Sequence, residues 1–209
     1  MAASARKLAG LSVLAMLAVQ APAHAHHLMG GRTPTTFAEG FLSGIGHPVI
    51  GLDHLAVIVG VGMLAALARR NFSVVLAFTA AMMVGVSLHL SRADIPAAEL
   101  LAGLATLAVG GLLLLRLPVS SIAAAGLFGI AGLLHGYLLA ESMVGAEPSP
   151  IIAYLAGLLI IQTVVAGSAF VAVGRLMRSP VGARSASLLV AGGLVTLMGG
   201  IAVAQAAGL

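Results

Sequence analysis

Residues 47–67 read HPVIGLDHLAVIVGVGMLAAL: two imidazoles and a carboxylate within eight positions, then thirteen residues without a polar side chain. In a soluble helix one face would alternate with polar residues; here the run is apolar all round, as a buried or membrane-spanning helix requires. The stretch therefore sets two questions at once: what solvates the apolar run, and why His47, Asp53 and His54 crowd its mouth.

The rest of the chain answers the first. Of 209 residues 60% are hydrophobic and only 8% charged, against roughly half and a quarter in soluble domains. Apolar segments recur at about 49–67, 72–90, 97–115, 119–140, 150–174 and 185–207, separated by short polar breaks such as SRADIPAAE and RLMRSPVGARS. Runs of this length, apolar on every face, exclude the alternating strands of a membrane barrel. The fold class is an all-α integral membrane protein with six transmembrane helices. The pI near 10.7 reflects a net charge of only +4 from scattered residues, without tryptophan or a basic stripe, so nucleic acid is not an expected partner. The partner expected from composition is a lipid bilayer, with which a homo-oligomer is compatible; a divalent metal ion as partner follows from the histidine and carboxylate groups described below. No cysteine is available for a thiolate site, so a metal must be held by imidazole, carboxylate, thioether or amide groups.

Before the spans stands a leader. Arg6 and Lys7 precede a twelve-residue apolar stretch, residues 8–19, which ends at the small-x-small triplet Ala23-His24-Ala25. That is too short to span a bilayer and has the shape of a secretory signal. We therefore divide the chain into a cleaved signal peptide, 1–25, and one six-helix domain, 26–209; an uncleaved anchor is the alternative. Cleavage after Ala25 leaves His26 and His27 at the new N-terminus, where an α-amine and two imidazoles make a catch for Ni²⁺ or Cu²⁺, or else a remnant of the leader.

Export of the N-terminus sets the direction of every span. Six arginines (Arg69, Arg70, Arg116, Arg175, Arg178 and Arg184) then lie on the cytoplasmic side, with only Arg32 and Arg92 outside, the asymmetry of the positive-inside rule. The expected location is the bacterial inner membrane with a periplasmic mature N-terminus. Every carboxylate and histidine of the mature chain falls in the outer half, which points to an outward-facing site for a cation.

Three groups can build it. In a continuous helix His47 and His54 are two turns apart on nearly one face, with Asp53 about 100° away; Pro48 then suits a first helical position. Imidazole and carboxylate suit Ni²⁺, Co²⁺, Zn²⁺ or Mn²⁺, and ionisable groups in a membrane are functional by default. The plainer reading has His47 capping a helix and the other two in the wet headgroup zone. In LLHGYLLAES, residues 133–142, His135 is a ligand and Glu141 a ligand or ion attractor, or else a helix-bridging histidine and a loop glutamate. His89 reads as interfacial, and Gln162 equally as helix–helix glue or a pathway residue. The pattern Gly40-x-x-x-Gly44 and the series Gly126, Gly129, Gly132 read as close-packing positions.

HPVIGLDHLAVIVGVG resembles the His-Pro-x-x-Gly-x-Asp-His signature of the HupE/UreJ family of nickel and cobalt permeases, and LLHGYLLAESMVGAEPSPIIAYLAG resembles that family's second motif. With the leader and six spans, the resemblance covers essentially the whole chain. It implies a permease whose metal path includes His47, Asp53 and His54, and also His135 and Glu141. Many members carry further histidines where this chain has Tyr137 and Leu139, so the resemblance implies neither a ligand number nor a choice between nickel and cobalt. The expected function is thus a secondary permease importing Ni²⁺ or Co²⁺, with the ion as cargo and no prosthetic group. It is not expected to be an enzyme, since neither a nucleotide-binding Gly-x-x-x-x-Gly-Lys-Ser/Thr loop nor a His-Glu-x-x-His helix occurs. The rival readings are an intramembrane metal-dependent hydrolase, because three ligands and an open position also describe a catalytic metal, and a metal-binding accessory subunit of a larger transporter or maturation system.

Overall fold

The structure, a computed structural model, describes residues 32–209 apart from Arg70 and Ser179, with backbone only at 181–184. The leader and His26 and His27 lie outside the described residues. Among the described residues seven α-helices follow one another: α1 (Phe37–Ile50), α2 (Leu52–Leu67), α3 (Ser73–Leu90), α4 (Ala98–Leu115), α5 (Ser121–Leu139) with a 3-10 turn (Ala140–Met143) at its end, α6 (Pro148–Leu176) and α7 (Val181–Ala206). No strand occurs among the described residues. Five segments of the described residues are long and apolar enough to cross a membrane: α3, α4, α5 with its 3-10 turn, α6, and residues Ser185–Ala206 of α7. The pair α1 and α2, bent by 78° where they meet, is the sixth candidate. Eighteen residues at 1.5 Å each give about 27 Å, close to the hydrocarbon thickness.

The first span departs from the sequence reading. Instead of one helix from residue 49, a separate helix starts at Phe37, nucleated by a capping box. The Thr36 hydroxyl accepts the Glu39 backbone N–H at 3.2 Å, and the Glu39 carboxylate accepts the Thr36 N–H at 3.1 Å. That carboxylate also accepts from the Thr35 N–H and hydroxyl, so Glu39 serves a helix start. Pro48 consequently sits in the last turn of α1 rather than at a helix start. The proline takes one backbone donor out of the α1 ladder, and Gly51 both ends α1 and begins α2. His47 and His54 therefore belong to different helices, and the shared helical face expected from their spacing does not exist.

α2 occupies the middle. From Gly60 to Ala65 it is buried on all sides, whereas the other helices bury one stripe and present Ile122, Ile130, Ile152, Ile160, Val164 and Val190, among others, outward. The tightest pairings are α4 with α7, α1 with α6 and α3 with α5. Glycines permit them: Gly44 lies against the Tyr154 carbonyl, Gly62 against the Ala166 carbonyl, and Gly136 against the Met82 carbonyl. With no hydrophobic drive between helices in lipid, such backbone approach is the main source of association. Gly40, Gly44 and Gly132 fit the expected packing role, but Gly126 and Gly129 face open space.

The connections after α2, α4 and α6 gather Arg69, Arg116, Arg175 and Arg178 at one end of the bundle, and the Arg116 guanidinium donates to the Ser185 carbonyl at 3.1 Å. The opposite end carries the connections after α3 and α5, with Asp94, Glu141 and Glu147. The histidines of the described residues all lie nearer that acidic end.

Candidate metal centre

The break at Gly51 aims the first motif. Its backbone (φ −72°, ψ 100°) is open to any residue, so glycine is needed there for space. A β-carbon would stand 2.8 Å from the His54 ring and 3.4 Å from an Asp53 carboxylate oxygen. Asp53 and His54 occupy the first turn of α2, where a carboxylate is favoured by the exposed backbone N–H groups.

His135 comes from α5 to meet them. The Nδ1 atoms of His54 and His135 are 3.0 Å apart, the rings edge to face at 5.2 Å, and an Asp53 carboxylate oxygen lies 3.7 Å from the His54 Nδ1. One ligand atom from each of Asp53, His54 and His135 lies within 4.8 Å of the others. Two nitrogens bound to one ion at about 2.0–2.1 Å stand about 2.9 Å apart when cis at right angles and about 3.4 Å apart in a tetrahedron. The observed separation suits such a pair. Exposure falls along the set: the Asp53 side chain is 36% exposed, while His54 is 7% and His135 1% exposed. A carboxylate thus stands at the surface with imidazoles beneath it.

The hydrogen-bond network fixes which nitrogen of His135 carries a proton. Its Nε2 lies 2.9 Å from the Thr106 hydroxyl and 3.3 Å from the Ala102 carbonyl, both on α4. The Thr106 hydroxyl hydrogen is already donated to the Ala102 carbonyl at 3.1 Å. Both neighbours of Nε2 can only accept, so the proton sits on Nε2 and the lone pair on Nδ1, toward His54. A metal-binding imidazole held by its other nitrogen in this way has a set tautomer and ring orientation.

His47 is tied in one layer further out. Its ring is 6.0 Å from that of His54, and its Nδ1 is 3.2 Å from the Ser142 hydroxyl and 3.5 Å from the Tyr154 hydroxyl. Tyr154, fully buried on α6, donates to the Leu139 carbonyl at 2.6 Å, and Ser142 leans on the same carbonyl. The Tyr154 hydrogen is used there, so the Tyr154 oxygen can accept from the His47 Nδ1.

Of the candidate ligands, the structure brings Asp53, His54 and His135 together and sets His47 beside them. Glu141 is exposed on the 3-10 turn and outside that group; its neighbour Ser142 turns inward instead. Ser142 and His135 do not share a helical face, because α5 ends at Leu139. Sequence reasoning missed Thr106 and Tyr154. Each is a polar side chain inside an apolar run, LATLAV or IIAYLAG, the same mark that drew attention to Gln162. His89 packs on the Tyr137 ring at 4.4 Å and lines a different cavity, of about 310 Å³, with Arg92, Asp94 and Met143.

The family described as HupE / UreJ protein matches residues 14–202. The chain belongs to the HupE/UreJ family. It is 31% identical over 129 residues to Protein HupE of Rhizobium leguminosarum bv. viciae, an alignment spanning 61% of this chain and 64% of that protein. No solved structure matches the chain.

Proposed function

We propose that this HupE/UreJ protein is a secondary permease that takes a divalent transition metal, Ni²⁺ or Co²⁺, across the bacterial inner membrane from the periplasmic side. The observation that carries this reading is the convergence of the His54 and His135 Nδ1 atoms at 3.0 Å beside Asp53 within a bundle of membrane-length helices. Two imidazoles and one carboxylate form a donor set of intermediate hardness, suited to Ni²⁺ and Co²⁺ and poor for Mg²⁺ or Ca²⁺, which take oxygen ligands. Asp53, His54 and His135 hold the ion, His47 and Glu141 serve its approach, and His26 and His27 are a first catch at the mature N-terminus.

The arginine-bearing end is the cytoplasmic one under the positive-inside rule, so the ion enters at the carboxylate end. Without a nucleotide-binding loop, the drive is the membrane potential, about 2.3 kcal/mol per charge for each 100 mV. The test is influx of Ni²⁺ and Co²⁺ into liposomes containing the purified protein alone, read by a trapped metal-sensitive dye. Influx above protein-free vesicles is expected. Binding without influx would instead favour the accessory-subunit reading, and turnover of a lipid or peptide the hydrolase.

A further inference from the structure

Gln162 lies in the middle of α6 and is fully buried, and neither its amide oxygen nor its amide nitrogen has a hydrogen-bond partner. Inside a membrane bundle an unsatisfied amide lowers stability, and a methionine or leucine of similar volume would not. Helix–helix glue would show a partner across the interface; this amide shows none. Something other than packing accounts for it.

Its depth suggests what. α6 runs beside α1 and α2 from the acidic end toward the arginine end: Gly44 meets the Tyr154 carbonyl, and Gly62 meets the Ala166 carbonyl. Counting back one turn from that second contact sets Gln162 level with Ile58, hence about one turn, ~6 Å, inward of His54. A second polar side chain occurs on the way to this level. Gly132 and Gly136 of α5 lie against the Phe78 and Met82 carbonyls, which sets His135 level with residue 81 and puts Thr79 about half a turn, ~3 Å, inward of it. The buried Thr79 hydroxyl donates to the Val75 carbonyl at 3.0 Å, leaving its oxygen lone pairs for another group. Among the buried polar side chains of the described residues, Thr79 and Gln162 are the two that stand on the arginine side of the cluster.

We propose that the Gln162 amide oxygen, with the Thr79 hydroxyl at an intermediate depth, is an inner relay for the divalent cation after it leaves Asp53, His54 and His135. The inference rests on the permease reading above. Neutral oxygens hold such an ion less tightly than imidazole and carboxylate, and passage requires sites weak enough to release what they receive. The amide therefore receives the ion from the outer cluster and gives it up toward the cytoplasmic end.

The experiment compares the full-length wild type with Gln162→Met, Gln162→Glu and Thr79→Val. Each is measured for Co²⁺ binding in detergent, for thermal unfolding, and for Co²⁺ influx into liposomes. For Gln162→Met we expect unchanged binding, an unfolding temperature equal to or above wild type, and influx lowered at least about tenfold, the weight of one polar contact to a charged group. Gln162→Glu keeps an oxygen at the same reach but charges it, so it holds the ion more tightly: influx stays below wild type while Co²⁺ binding rises, and Thr79→Val lowers influx a few-fold. Wild-type influx through Gln162→Met would overturn the relay, as would a lower unfolding temperature with binding lost, since the amide would then be a packing group. If the wild type binds Co²⁺ but admits none, the permease reading falls and the relay with it; loss confined to the variant leaves both standing.

Discussion

The two stretches that supply the cluster do so by opposite means. HPVIGLDH is local: His47 and His54 are brought within 6.0 Å by a helix break at Gly51. LLHGYLLAES delivers His135 from an unbroken helix, and what aims the ring is a threonine and a carbonyl on α4, 29 and 33 residues away in sequence. The difference teaches that a motif can carry its own geometry only where the chain turns within it. Elsewhere the same residue types are placed by neighbours that the motif does not contain.

The largest effect is expected from removing the proposed ligand that joins the two stretches. His54→Ala takes one nitrogen from the 3.0 Å pair and should lower Co²⁺ binding more than about 100-fold, with uptake at background while the protein still reaches the membrane. Retained uptake would break the site assignment. Gly51→Ala attacks the local half alone. The added methyl presses on the His54 ring, and we expect binding to drop about tenfold or more with α5 and its network untouched, as competition titrations would report. Thr106→Val attacks the tertiary half alone. It removes an acceptor of the His135 Nε2–H without changing side-chain volume, and a loss of about 10–100-fold in metal affinity is expected, with Thr106→Ser close to wild type. Ser142→Ala is the smallest. One hydroxyl leaves His47, Tyr154 remains, and a change of about tenfold or less is expected in influx at low metal concentration. Equal losses from Gly51→Ala and Ser142→Ala would erase the distinction between an inner pair and an outer histidine.

Much of the fold was legible because membrane spans are written in composition. The segments at 72–90, 97–115, 119–140, 150–174 and 185–207 lie within a few residues of α3 to α7. The first span was not, for a physical reason. Hydropathy averages over the turn at Gly51 and cannot register that one residue caps two helices. The signal for α1 was present in Thr36-x-x-Glu39, a capping box, and Pro48 near its end marked the weakened ladder. At the site, ligand types could be read because charge and imidazole are rare in this chain. Thr106, Ser142 and Tyr154 could not be assigned, because a hydroxyl in an apolar helix serves its own backbone as readily as a distant ring.

By itself the sequence determined that the chain lives in a bilayer, that most of its arginines lie away from its carboxylates, and that imidazole and carboxylate are its rare polar side chains. These follow from solvation, since water and lipid sort residues by chemistry regardless of their neighbours. Only the tertiary structure decided that His47 and His54 sit on separate helices, that His135 presents Nδ1 to His54, and that Gln162 is buried with its amide unpaired. Those depend on distances of about 3 Å between helices remote in sequence, where a hydrogen bond is made or lost.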